Sequence, residues 1–169
     1  MSSISLAQAQ TLIAGALAVA RQKAYKPMGV VVVDTAAQAI AFAREDGASA
    51  LRLDIAHGKA GAAIGMGTNS RALAVRAKDL PAFFSTIASH AQHPFIPQTG
   101  AVLIVDTQGA IMGAVGASGG TGDEDEEIVI AGIEKRSAKK SVSKRGVLEK
   151  RSAMKINYLQ RGIALRIFW

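Results

Sequence analysis

Two short apolar runs, each followed after a break of three or four residues by a second such run, constrain this chain more than any other feature. Residues 28–34 include four consecutive valines, Val30 to Val33, too β-branched for a comfortable helix. Residues 35–38 are polar enough to turn, and residues 39–43 resume an apolar strand pattern. The motif returns at residues 101–106 and 110–117, joined by Thr107, Gln108 and Gly109, where Gly109 can take the positive φ of a tight hairpin. Strands that arrive as hairpins, and not as βαβ units, predict an antiparallel sheet. With helical segments before, between and after them, the chain reads as α+β.

The helices follow from a change of period. Leu6, Ala9, Ile13, Ala16, Leu17, Ala20 and Ala24 share one helical face. Ser5 with Gln8 three residues on makes a capping box, which predicts a helix from Leu6 to near Tyr25, before Pro27. The run at residues 12–20 ends Ala18-Val19-Ala20 and imitates an export signal. No Lys or Arg precedes Arg21, however, so a core helix is the better reading. Leu53, Ala56, Ala60, Ala63 and Ile64 mark a second helix over residues 50–64. Further turns are expected at 71–78 and, with Pro81 in a first helical position, at 82–88. A breaker-rich loop follows at 90–100, containing Pro94 and Pro97. A last helix, at 123–133, is entered through the glycine-rich stretch Ser118-Gly119-Gly120-Thr121-Gly122, and its acidic first turn complements the helix dipole.

Composition decides what surrounds these elements. In 169 residues there are 32 Ala, 17 Gly and only 5% aromatics, so the core must be built from small and branched side chains at close backbone approach. With no cysteine, disulfides, thiolate metal sites and cysteine nucleophiles are excluded. No apolar stretch reaches the roughly 18 residues that span a bilayer. The net charge of +7 is misleading as a whole. Residues 1–133 carry nine basic and eleven acidic side chains; residues 134–169 carry eleven and two. The basicity belongs to the tail, so one domain over 1–133 followed by a basic extension over 134–169 is expected. That extension reads as a solvated arm, as a phosphate-binding arm, or as a helix docking on a neighbouring subunit. Aromatic residues for base stacking are nearly missing before Tyr158, which weighs against nucleic acid.

Six blocks in order then suggest a family. They are Val30-Val31-Val32-Val33-Asp34, Ala41-Phe42-Ala43-Arg44-Glu45-Asp46-Gly47-Ala48, Asp54-Ile55-Ala56-His57-Gly58-Lys59-Ala60, Asn69-Ser70-Arg71-Ala72-Leu73, Pro81-Ala82-Phe83-Phe84 and the segment Gly113 to Thr121. Over roughly residues 4–133 the chain resembles the GlcG/HbpS-like family, also found as the C-terminal domain of PduO-type proteins. The resemblance implies a profilin-like fold, an antiparallel sheet flanked by helices, and assembly into dimers or larger homo-oligomers. It also implies haem or corrinoid binding in some members.

Candidate binding residues are weighed one by one. Haem iron takes an axial donor, most often a His nitrogen, beside an apolar slot. His57 is either a surface residue of its helix or an extra ligand, and His90 and His93 lie three apart in the breaker-rich region. Thr68 either faces a cofactor or caps the next helix at Ser70. The charged set Arg44, Glu45, Asp46, Asp54 and Lys59 is the stronger candidate. Lys59 falls between Ala56, Ala60 and Ala63, on or beside the apolar face, where a lysine needs a carboxylate or an anionic ligand. Its expected partners are Glu45 or Asp46, or a ligand carboxylate. Gly119 and Gly120 could offer backbone N–H groups to an anion, as helix entries do.

No residues have metal-ligand spacing, and no catalytic motif is present. The favoured reading is a cytoplasmic accessory protein that binds a small molecule or tetrapyrrole. Two others stay open: an enzyme acting on a small carboxylate with Lys59 as anion anchor, and an oligomeric module acting through assembly alone.

Overall fold

The computed structural model describes residues 3–142 and 165–166. The elements run α1 (Leu6–Gln22), β1 (Gly29–Val33), β2 (Ala39–Arg44), α2 (Arg52–Met66), α3 (Ser70–Asp79), α4 (Pro81–His90), β3 (Ala101–Val105), β4 (Ile111–Ser118), α5 (Gly122–Val142) and the two-residue β5 (Leu165–Arg166). Both expected hairpins form, β1 with β2 and β3 with β4, and antiparallel pairing of β1 with β4 joins them. The sheet order is β2-β1-β4-β3-β5, in which β5 lies parallel to β3 at Ile104 and Val105. This is an α+β fold with a four-stranded antiparallel sheet at its centre.

All five residues of β1 and all five of β3 are buried, because helices cover both faces of the sheet. Val31, Val33, Ala101, Leu103 and Ala114 face α2, meeting Ala56, Ala60 and Ala63. Val30, Val32, Val102, Ile104 and Val115 face the other way, onto Leu12, Ala16, Ile128 and Ile133 of α1 and α5. Two-sided burial explains why the strands read as continuous apolar runs. Small residues set the spacing of the layers: a side chain at Gly116 would place its Cβ 2.4 Å from the Ala56 carbonyl oxygen of α2.

The capping box holds as read, with Gln8 N donating to Ser5 Oγ at 3.3 Å and Ser5 N donating to Gln8 Oε1 at 3.0 Å. The helix ends at Gln22, short of Tyr25, because Ala24 turns into the left-handed region at φ 54°. Leu6, expected on the buried face, is exposed, whereas Leu12 and Gly15 are buried against α5. The outer edge of β3 is closed by side chains: Ser70 Oγ bonds both the N–H and the carbonyl of Ala101, and Asn69 Oδ1 accepts from Leu103 N. β5 pairs with β3 only at Ile104 and Val105, so these bonds satisfy backbone of β3 that β5 does not reach.

α5 passes the expected end at Ile133 and reaches Val142. Burial along α5 is described only as far as Lys135, and within that stretch the last buried residue is Ile133. Most of the expected basic extension lies outside the described residues. A chain ending at residue 134 should therefore keep one cooperative thermal transition; its loss would show that later residues complete the core. No described helix is long and apolar enough to cross a membrane.

Candidate functional site

Buried polar side chains gather where β3 begins, β4 ends and the N-terminal turns of α3 and α5 meet. Lys59, Asn69, Ser70, Ser118, Asp125 and Glu126 are all buried. Lys59 projects from α2 with 5% of its surface exposed. Its Nζ donates to Asp125 Oδ2 at 2.7 Å and to the Ala117 carbonyl at 3.2 Å. Gly100, at φ +129°, makes room for this pair: a Cβ there would lie 2.7 Å from Nζ and 2.8 Å from Asp125 Cβ. Asp125 Oδ1 accepts from Gly120 N at 3.1 Å, and Arg52 stands nearby with Nη1 3.4 Å from Ser118 Oγ. Burial pushes the Asp125 carboxyl above the ordinary carboxylate range, and Lys59 pulls it part of the way back.

Next to it, Arg71 of α3 clamps the start of α5, its Nε 2.6 Å from Glu126 Oε2 and its Nη2 bonded to Asp123. Burial also raises the Glu126 carboxyl, against the pull of Arg71. The consecutive acids Asp125 and Glu126 thus tie α5 to α2 and to α3.

The structure corrects the expected partner of Lys59. Glu45 is engaged elsewhere, with Oε1 2.8 Å from Arg21 Nε and Oε2 accepting from Met28 N at 2.8 Å. Asp46 is exposed in its loop, as is Asp54 on α2. Arg44 donates to the Ala48 carbonyl at 2.9 Å. Arg44, Glu45 and Asp46 do come together with Arg21 and Pro27, lining an open cleft of about 410 Å³. Lys59 is not part of that cleft.

His57 is half-buried, and its Nε2 lies 2.8 Å from the Ala37 carbonyl in the β1–β2 turn. A carbonyl only accepts, so Nε2 carries the proton and the ring clasps that turn, where Ala37 is left-handed at φ 60°. Thr68 does not cap α3; Asn69 holds the cap position and no side-chain cap bond is made. Gly119 is packed against Pro27 and Met28. The N–H groups of Gly120 and Thr121 go to the chain's own Asp125 and Glu124. Among the described residues no group of three or more His, Asp or Glu is placed to hold a metal ion.

Arg71, Asp125 and Glu126 were not singled out from the sequence as site residues. The run at 123–127 reads as a solvated helix start. A signal was present, since Asp125 stands three and four residues before Ile128 and Val129 and so shares their core-facing side.

The family model for HbpS-like proteins, described as haem degrading protein HbpS-like, matches residues 4–134. Among solved structures, a double mutant of Streptomyces reticuli HbpS is 25% identical with a TM-score of 0.69, the match covering 78% of this chain and 86% of that one. A PduOC:haem complex is 24% identical at a TM-score of 0.70, covering 79% of this chain and 95% of that one. Klebsiella pneumoniae protein ORFY is 23% identical at a TM-score of 0.73, covering 82% and 93%. No curated protein matches the chain.

Proposed function

Because the chain belongs to the HbpS-like family, we propose that it is a haem-binding accessory protein working as a homo-oligomer in the cytoplasm. The observation that carries the reading is the family match across residues 4–134, to which the likeness to the PduOC:haem complex adds support. The apolar surface is in keeping with it. Phe42, Leu51, Val75, Leu80 and Phe83 are large apolar side chains left exposed. Helix α4 has ten residues and buries only Phe84, a weak hold for so short a helix unless a ligand or a second copy covers more of it.

Haem would supply an iron centre and a flat apolar ring; the chain has to supply a nitrogen donor and an apolar bed. The nitrogen donors available are His57 on α2, His90 at the end of α4 and His93 in the loop after it. The reading as a carboxylate enzyme anchored by Lys59 loses its footing, since that amine is buried against Asp125. Titration of the purified protein with haemin should give a saturable shift of the Soret band, and titration with cobalamin should give none. A saturable cobalamin response without a haemin response would replace haem with a corrinoid.

A further inference from the structure

We propose that the open edge of β2 is where two copies of this chain join, pairing antiparallel about a two-fold axis at Ala43. The inference rests on the homo-oligomer reading above and gives that reading a surface. The sheet closes its two edges unequally. Beyond β3 stand β5 and the side chains of Asn69 and Ser70, whereas β2 ends the sheet and no described strand pairs with its outer side. No residue of β2 is buried, although β1 and β3 are buried throughout. Sheet edges are commonly protected by charges, by proline or by a bulge. Residues 35–43 carry no charge and no proline. The irregularity at Val32 and Val33 lies before Ala41, which leaves Ala41–Arg44 in regular register with β1.

The ladder decides which backbone groups are free. Glu45 N donates to the Met28 carbonyl at 2.9 Å. In an antiparallel pair each residue turns its N–H and C=O to the same side, and the side alternates along the strand. Ala41 and Ala43 therefore bond to β1, while Phe42 and Arg44 turn both groups outward. A second β2 laid antiparallel, Ala43 opposite Ala43, sets Phe42 against Arg44 of the second copy and Arg44 against its Phe42. Both pairs then exchange N–H···O bonds in both directions. Centring on Phe42 would instead set Arg44 against Ile40, at the irregularity. The side chains favour the Ala43 register too. Phe42 is 56% exposed and lies beside Val31, which faces α2; Arg44, two residues on, shares that face. Each guanidinium thus meets the negative face of an aromatic ring, and no like charges are opposed along the paired strands. On the other face Ala43 meets Ala43, small enough for the close approach of about 4.5 Å between Cα atoms in a non-hydrogen-bonded pair.

The chain has no cysteine, so Ala43→Cys supplies a single thiol. Under mild oxidation Ala43→Cys should form a covalent dimer, seen on a non-reducing gel. Ala41→Cys lies on the same strand and face but is opposite Glu45 of the second copy, and should stay uncrosslinked. Sedimentation of the wild-type full chain at micromolar concentration should give at least twice the 17.5 kDa of one chain. Phe42→Lys sets lysine against arginine in both pairs and should halve the mass of the assembly. Phe42→Lys combined with Arg44→Glu sets opposite charges together and should restore it. Phe42→Pro removes only an outward N–H, leaves the β1 ladder whole, and should also halve the mass, with thermal melts confirming that each variant is folded. A mass unmoved by Phe42→Lys and Phe42→Pro, or crosslinking at Ala41 equal to that at Ala43, overturns this edge while leaving the homo-oligomer reading intact. A single-chain mass for the wild type overturns both.

Discussion

Lys59→Met should destabilise the folded chain by about 3–5 kcal/mol at neutral pH, the range found when one partner of a buried ion pair is removed. Asp125 would keep Gly120 N–H as a partner but lose the cation at 2.7 Å, in a place only 1% exposed. Pairing the change with Asp125→Leu should recover much of the loss, because the penalty comes from stranding a charge and not from breaking an attraction. The pH profile separates this cause from lost packing. Burial holds the Asp125 carboxyl above its ordinary value of 3.8, and removing Lys59 removes the largest pull in the other direction. A carboxyl with a raised folded-state pKa contributes stability that is present below the unfolded value and lost as pH rises through the folded one. The deficit of Lys59→Met should therefore be greatest near pH 8 and shrink as pH falls below the unfolded value, toward about pH 3, where Asp125 is largely neutral in both states. A deficit of constant size across that span, measured by thermal melts, would assign it to packing.

How far this site was legible in the sequence depended on the kind of contact. Lys59 stood out because a lysine between Ala56, Ala60 and Ala63 violates the apolar pattern of its own helix. Its partner did not, since Asp125 is 66 residues away on a helix that covers the other face of the sheet, and the two meet only past the end of β4, where Lys59 also reaches the Ala117 carbonyl. Glu45 and Asp46 were nearer in sequence, but they lie in the loop after β2, an outer strand of the sheet separated from β4 by β1. The hairpins and the capping box were readable because turn chemistry and capping act within a few residues. The β1–β4 pairing, the closing of β3 by Asn69 and Ser70, and the grip of His57 on the β1–β2 turn are long-range bonds that no local period announces. The abundance of Ala and Gly did announce close approach between layers, without saying where.

Gly116 is one place where that approach is closest, and Gly116→Ala should cost more than the roughly 1–3 kcal/mol usual for overpacking. The added Cβ would lie 2.4 Å from the Ala56 carbonyl oxygen and 3.2 Å from Ala60 Cβ. Neither side can yield cheaply. β4 is hydrogen-bonded to β1 on one side and to β3 on the other, with Gly116 facing Val31 and Ala101. Ala56 and Ala60 are fully buried on the face that α2 lays on the sheet, so relief requires the whole helix to lift from Val31, Val33 and Leu103. Gly61→Ala is the informative comparison. Its Cβ would meet the Pro94 carbonyl oxygen at 2.2 Å, nominally a worse clash, yet Pro94 belongs to the irregular segment between α4 and β3, whose local shift leaves the sheet untouched. Gly61→Ala should thus stay within the ordinary range and keep its cooperative transition, whereas Gly116→Ala should melt far lower or fail to accumulate folded. Equal melting temperatures for the two variants would show that α2 is not pinned to the sheet at Gly116, and that the distance between layers is set elsewhere.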